Sequence, residues 1–176
     1  MSGRNDPENR TMNKPHELHE PRPIQVILRA GLLAGSLDLA AACTQAFLNG
    51  RPALRVLQSI ASGWLGRSSY SGGGATAALG LVTHYFIAIV AATVFWATSR
   101  RYPQLVRHAW RWGASYGLVV YAVMYEIVMP LSAIHRRIPR TQQDLITGLL
   151  IHVFCVGLPI ALTVRAHTPR RDIDAI

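Results

Sequence analysis

The sequence predicts an all-α integral membrane protein, a four-helix bundle with one interfacial amphipathic helix in the first outer loop. Three observations support this fold class. Only 15% of the 176 residues are charged, whereas soluble domains carry about a quarter. Four stretches stay apolar over the roughly 20 residues that a helix needs to cross a bilayer, and none alternates strictly as a barrel strand does. Basic residues outnumber acidic ones by 18 to 9 and gather beside these stretches.

The elements follow in chain order. Residues 1–23 are polar and carry four prolines. Because this segment cannot bury enough apolar surface to offset the entropy of ordering, we expect a disordered cytoplasmic tail. Residues 24–165 form the predicted transmembrane domain, and residues 166–176 form a second cytoplasmic tail. The spans are predicted at about residues 24–49, 75–98, 109–130 and 145–164.

The loop between the first two spans predicts a helix of its own, over about residues 52–65. A proline stands at its start, and one side carries an apolar stripe made of Ala53, Leu57, Ile60, Ala61 and Trp64. The opposite side carries Arg51, Arg55, Gln58 and Ser62. A helix with this pattern is typical of the membrane interface, with its apolar side toward lipid.

The distribution of basic residues predicts the orientation. Twelve Arg or Lys residues flank the side that holds both termini, and six flank the other side. The positive-inside rule then places both termini in the cytoplasm. Since the basic residues flank spans and do not line one face among aromatic residues, no nucleic acid is expected as a partner. The expected partners are the lipid bilayer and, for so small a protein, a second copy or another membrane protein.

Small residues recur at helical spacing inside the spans. Lipid provides little hydrophobic drive between helices, so close packing of small residues holds a bundle together. We therefore predict helix-packing roles for Gly31, Gly35, Gly80, Gly113, Gly117 and Gly148.

Three ionisable residues lie on these small-residue faces, namely Asp38, His84 and His152. A charged group at the centre of a span costs on the order of 2.5–3.5 kcal/mol, so it normally faces the bundle interior and has a partner there. With a rise of about 1.5 Å per residue, the three residues lie at depths below the outer membrane surface that agree to about one helical turn. We predict an intramembrane polar cluster. Glu126 is a weaker member, because it projects away from the glycine face of the third span.

Four roles stay open for this cluster. It can fix the register of the helices, relay protons or ions, hold a metal ion with two imidazoles and one carboxylate, or hold a b-type haem between His84 and His152. No catalytic residue is predicted, since the two cysteines lie on separate helices and the sequence has no Cys-x-x-Cys or His-Glu-x-x-His motif. No cofactor is predicted, with haem and a metal ion left as alternatives.

Several short motifs resemble a group of small four-span bacterial inner-membrane proteins of uncharacterised activity. They are Leu-Gln-Ser-Ile-Ala-Ser-Gly at 57–63, Tyr-Ser-Gly-Gly at 70–73, Ser-Arg-Arg-Tyr-Pro at 99–103 and Met-Pro-Leu-Ser-Ala at 129–133. More remotely, Thr83-His84 and His152 are similar to the YagU-type family. The resemblance covers residues 24–165 and implies a bacterial inner-membrane protein. It carries over no catalytic residue.

The function predicted first is that of a structural or accessory membrane subunit without enzymatic activity. Two alternatives follow from the polar cluster: a small proton, ion or solute transporter that uses Asp38, His84 and His152, or a haem-binding redox subunit.

Overall fold

The computed structural model describes residues 22–134 and 141–169. The predicted N-terminal tail, apart from its last two residues, and the C-terminal tail from residue 170 onward lie outside the described residues.

The described chain contains six helices and no strand. In order they are α1 (Pro23–Leu48), α2 (Ala53–Leu65), α3 (Gly73–Arg101), the short α4 (Gln104–Arg107), α5 (Ala109–Leu131) and α6 (Gln142–Ala166). Four of them, α1, α3, α5 and α6, are long and apolar enough to cross a membrane. This confirms the predicted all-α four-helix class, and the predicted spans agree with the helix bounds to within three residues.

Helix α6 begins at a capping box. The Asp144 backbone N–H donates to the Thr141 hydroxyl at 3.1 Å, and the Thr141 backbone N–H donates to the Asp144 carboxylate at 3.1 Å. Two backbone donors that a helix start leaves unsatisfied are thereby paired. The cap explains why α6 begins at Gln142, three residues before the predicted span.

Helices α1 and α3 pack side by side in opposite directions. A Cβ added at Gly31 would lie 2.8 Å from the Ile89 Cα, and one at Gly35 would lie 3.0 Å from the Tyr85 ring. The Tyr85 hydroxyl lies 3.0 Å from the Ser36 hydroxyl across the same seam. The two backbones approach this closely because glycine has no side chain at the contact.

Helices α5 and α6 form a second antiparallel pair. A Cβ added at Gly113 would lie 2.8 Å from the Ala161 Cβ, and one at Gly117 would overlap the backbone at His152. Gly157, which is not among the glycines predicted from sequence, meets the Gly113 carbonyl in the same way. The contact is thus made by glycines on both helices.

The apolar core lies in one half of the bundle, where α1 begins and α6 ends. We call it the terminal half. Its buried members are Val26, Ile27, Ala30, Ala34, Ala92, Phe95, Val106, Ala109, Val156, Ile160, Ala161 and Val164. In the other half α1 ends and α2 packs on α3, and we call it the α2 half. The cavities described below lie there.

Helix α2 packs on α3 through residues of both its sides, because Ala61 of the apolar stripe and Gln58 of the polar side are both buried. Gly80 lets the Leu57 carbonyl approach so closely that a Cβ there would overlap it. Gln58 is 2% exposed and its Nε2 donates to the Gly73 carbonyl at 3.2 Å. The predicted division of faces is therefore wrong in part, because Gln58 and Ser62 of the polar side are buried against the bundle, whereas the 65% exposed Trp64 agrees with an apolar stripe that faces lipid.

Helices α5 and α6 each contain one π turn, at Met124–Val128 and His152–Gly157. Each π turn precedes a proline, Pro130 in α5 and Pro159 in α6. A proline has no N–H to donate to the carbonyl four residues earlier, and in both helices that carbonyl lies within the π turn. In α6 the carbonyl left without this donor is that of Cys155, inside the π turn.

Replacing Gly80 with alanine tests the contact between α2 and α3. We expect Gly80→Ala to lower the free energy of unfolding by about 1–3 kcal/mol, because the new methyl group would meet the Leu57 backbone, which cannot rotate away. The measurement is SDS-induced unfolding of the detergent-solubilised protein, followed by circular dichroism. The matched control is Gly74→Ala in the same helix, where an added Cβ meets nothing within 4 Å. Equal unfolding midpoints for the two variants would contradict the assigned contact.

Candidate functional site

A cavity of about 260 Å³ extends from the middle of the bundle into the α2 half. We call it the chamber. Helices α1, α2, α3, α5 and α6 all contribute to its wall. Most of the lining is apolar, and its polar side chains are Asp38, Gln45, Ser59, His84, Tyr125 and His152.

The structure brings three of the four predicted cluster residues to this wall. Asp38 reaches it from α1, His84 from α3 and His152 from α6. Glu126 is exposed and is absent from the described lining of the chamber, although its neighbour Tyr125 belongs to it. The π turn in α5 directs Tyr125 inward and leaves Glu126 on the outside of the helix.

The three residues share a wall but not a coordination sphere. Across residues 22–134 and 141–169, no group of three or more His, Cys, Asp and Glu side chains is placed to hold a metal ion. The metal-site alternative therefore finds no support in the geometry.

Hydrogen bonding assigns the tautomer of His84. Its Nε2 lies 2.8 Å from the Gly35 carbonyl oxygen. Because a carbonyl oxygen only accepts, Nε2 must carry the proton, and Nδ1 of the neutral ring is then an acceptor. The close approach of α1 and α3 at Gly35 is what places this carbonyl within reach of the ring.

His152 has the opposite arrangement. Its Nδ1 lies 2.9 Å from the Gly148 carbonyl oxygen, one turn earlier in α6. Nδ1 is therefore the donor, and Nε2 of the neutral ring is the acceptor. The two histidines thus each retain one acceptor nitrogen after satisfying a backbone carbonyl.

Two tyrosines of α5 enclose the His152 ring. The Tyr121 ring meets it edge-on with centroids 5.2 Å apart, and the Tyr125 centroid lies 6.4 Å away. Tyr121 also lies over Gly148, where an added Cβ would be 2.6 Å from the ring. Sequence reasoning missed both tyrosines. A signal was present, since Tyr121 and Tyr125 continue the four-residue spacing of the α5 glycine face.

The same hydrogen bonds disfavour a haem between the two histidines. A haem iron commonly takes histidine as an axial ligand, and His84 would have to give up its 2.8 Å bond to Gly35 to offer Nε2. The chain's own geometry therefore holds His84 as a backbone-anchored donor, which does not fit a bis-histidine site.

Asp38 differs from the histidines because its carboxylate is not engaged. The residue is half-buried, and in the described part of the chain its side chain makes no hydrogen bond or ion pair. A carboxylate inside a bundle normally has a partner. Asp38 is therefore a group that a proton or a ligand in the chamber can reach.

The chamber continues into a second cavity at the end of the α2 half. Five residues line both: Gln45, Ser59, Tyr125, Met129 and Gly148. The second cavity has a volume of about 630 Å³, and its lining includes Arg51, Arg67, Tyr70 and Asp144. We call it the vestibule. The chamber thus opens toward the α2 end, while the apolar core lies on its other side.

These features define a class, a multi-pass membrane protein whose helical bundle contains a mostly apolar chamber lined by three ionisable side chains. No protein-family model, curated protein or solved structure matches the chain.

The tautomers provide a direct test of this site. We expect the neutral rings of His84 and His152 to be opposite tautomers, protonated at Nε2 and Nδ1 respectively, because each donates to a backbone carbonyl. Solid-state NMR of ¹⁵N-histidine-labelled protein in lipid distinguishes the two forms, and the variants His84→Gln and His152→Gln assign the signals. Finding the same tautomer at both positions would contradict the geometry.

Proposed function

We propose that this protein is a small proton-linked solute carrier whose chamber binds its ligand between Asp38, His84 and His152. One observation supports the proposal above all: three ionisable side chains from three helices line a single chamber that opens at one end of the bundle.

The chemistry of the three groups suits proton uptake. Ionisable residues that face a cavity within a membrane protein commonly mark ion or proton pathways. Imidazole changes charge in the physiological pH range. The unengaged carboxylate of Asp38, Nδ1 of His84 and Nε2 of His152 are three proton acceptors on one wall.

The asymmetry of the bundle favours a carrier over an open channel. The chamber joins the vestibule through shared lining residues. Below it, Phe95 and Ile160 are fully buried in the core of the terminal half. A solute that enters from the α2 end meets packed side chains, so passage requires a change in helix packing. The two π turns lie beside the chamber, and π turns are frequent at functional sites.

An accessory subunit, the function that the sequence predicts first, explains less of the structure. It would require the glycine contacts but no chamber. A carboxylate that only fixed helix register would have a hydrogen-bonding partner, and Asp38 has none among residues 22–134 and 141–169.

We further propose that the protein lies in the bacterial inner membrane with both termini in the cytoplasm, so that the chamber opens to the outside. The excess of basic residues beside the terminal half supports this orientation. The resemblance to small bacterial inner-membrane proteins supports the location.

Single cysteines test the orientation. In a background of Cys43→Ala and Cys155→Ala, Ser68→Cys at the α2 end is expected to react with a membrane-impermeant maleimide on intact bacteria. Ala175→Cys near the C-terminus is expected to react only after lysis. The reverse pattern would place the chamber opening on the cytoplasmic side.

The variant Asp38→Asn tests the carrier. In liposomes loaded with the pH indicator pyranine, we expect the wild-type protein to speed the decay of an imposed pH gradient, because protons bound in the chamber cross the membrane when the helix packing changes. Asp38→Asn removes the unengaged carboxylate at almost constant volume, so the decay should return to the rate of protein-free liposomes.

Glu126→Gln is the matched control, since it removes one carboxylate outside the chamber and should keep the wild-type rate. Gel filtration shows whether each variant inserts and stays monodisperse. A wild-type rate equal to that of empty liposomes, or an Asp38→Asn rate equal to wild type, would refute the proposal.

A further inference from the structure

We infer that the α2 end carries a binding site for a phosphate group, formed by Arg51, Arg55 and Arg67 beside Tyr70. This inference goes beyond the proposed carrier, since it concerns the vestibule and not the chamber. It holds or fails independently of Asp38.

The three arginines lie around two adjoining cavities. Arg51 and Arg67 line the vestibule, of about 630 Å³. Arg51 and Arg55 line a neighbouring cavity of about 450 Å³. Arg51 and Tyr70 belong to both linings, so the cavities meet between them. Both are large enough to admit a phosphate group with its water.

The charges at this end are strongly unbalanced. Among the described residues that line the two cavities, Asp144 is the only acid, against three guanidinium groups. Its carboxylate accepts the backbone N–H of Thr141 at 3.1 Å and the hydroxyl of Thr141 at 2.7 Å, and it interacts electrostatically with Arg51, so one negative charge stands against three positive ones. A guanidinium group stays protonated at any physiological pH. The site therefore attracts anions.

One of the arginines is held in place. Nη1 of Arg55 donates to the Tyr70 carbonyl at 3.2 Å, and its guanidinium carbon lies 5.5 Å from the centroid of the Tyr70 ring. This double contact limits the motion of Arg55 and lowers the entropic cost of binding. Arg55 thus provides a fixed cationic side to the site.

The other two arginines have donors to offer. In the described part of the molecule, neither the Arg51 nor the Arg67 side chain makes a hydrogen bond. A guanidinium group presents parallel N–H donors that match two phosphate oxygens. Two such groups facing one space, with the fixed Arg55 nearby, suit a phosphate better than a monovalent halide.

The phosphate can belong to a lipid headgroup or be free in solution. The neighbouring cavity is lined by arginines and also by apolar residues of α1 and α2, namely Ala42, Ala46 and Val56. Charged and apolar side chains in one cavity suit a phospholipid at the membrane surface. The vestibule is open to the chamber and suits a free phosphate. Both sources present the same chemistry to the three arginines.

The test uses the full chain in detergent with two probes. One is inorganic phosphate, titrated by isothermal titration calorimetry. The other is short-chain phosphatidylglycerol against short-chain phosphatidylcholine, with bound lipid counted by native mass spectrometry. We expect wild-type protein to bind at least one probe, and Arg51→Gln with Arg67→Gln to weaken it by about tenfold or more, since hydrogen bonds to charged groups are lost.

The matched control is Arg100→Gln with Arg111→Gln, which removes two exposed arginines at the opposite end and should leave binding unchanged. Binding of phosphatidylglycerol alone assigns the site to a lipid headgroup, and binding of phosphate assigns it to a free anion. Loss of binding in Asp38→Asn is not expected, so failure of the carrier leaves this test intact.

No binding of either probe by the wild-type protein would overturn the inference. So would an equal loss in the two double variants, because that would indicate a response to net charge alone. The variant Arg67→Lys replaces the double variant in this test if the double variant misfolds, because it keeps the positive charge at residue 67. It should still weaken binding, because lysine lacks the paired donors of arginine.

Discussion

The structure depends on glycines that let helix backbones touch inside the membrane. Hydrocarbon provides little drive for helix association, so close contact must supply the stabilisation. The same contacts build the site. Where α3 approaches Gly35, the Gly35 carbonyl accepts a hydrogen bond from His84, and in α6 the Gly148 carbonyl accepts one from His152. The glycine contact therefore brings the Gly35 carbonyl to His84, whereas His152 is oriented by a carbonyl one turn earlier in its own helix.

The bundle packs differently in its two halves, and this difference creates the chamber. In the terminal half, alanines, valines, two isoleucines and one phenylalanine fill the space between helices. Beside the chamber, the π turns at Met124–Val128 and His152–Gly157 change which residues point inward. Helix α2 then closes the side of this space with Val56, Ser59 and Ile60. A short helix outside the four spans thus completes the chamber wall.

Much of this could be predicted from sequence, for identifiable reasons. Span positions follow from length and hydropathy, and the common depth of Asp38 and His84 follows from the helical rise. The burial of Gln58 could not be predicted, because its partner is a backbone carbonyl on another helix. The π turns change the direction in which residues such as Tyr125 point. The side-chain directions that a regular helix of 100° per residue predicts are therefore wrong beyond each π turn. The vestibule is lined by segments that are far apart in the sequence. A local sequence pattern cannot predict that such segments meet.

The signs of charge along the cavities connect the two proposed sites. The vestibule is positive, with arginines that stay protonated, whereas Asp38 makes the chamber negative when it is ionised. A metal cation moving inward would be repelled at the vestibule, and an anion would be repelled at the chamber. Protonation of Asp38 removes the second barrier without affecting the first. An anion that has passed the arginines can therefore enter the chamber together with a proton, and this order of charges is what a proton-linked carrier of an anionic solute requires.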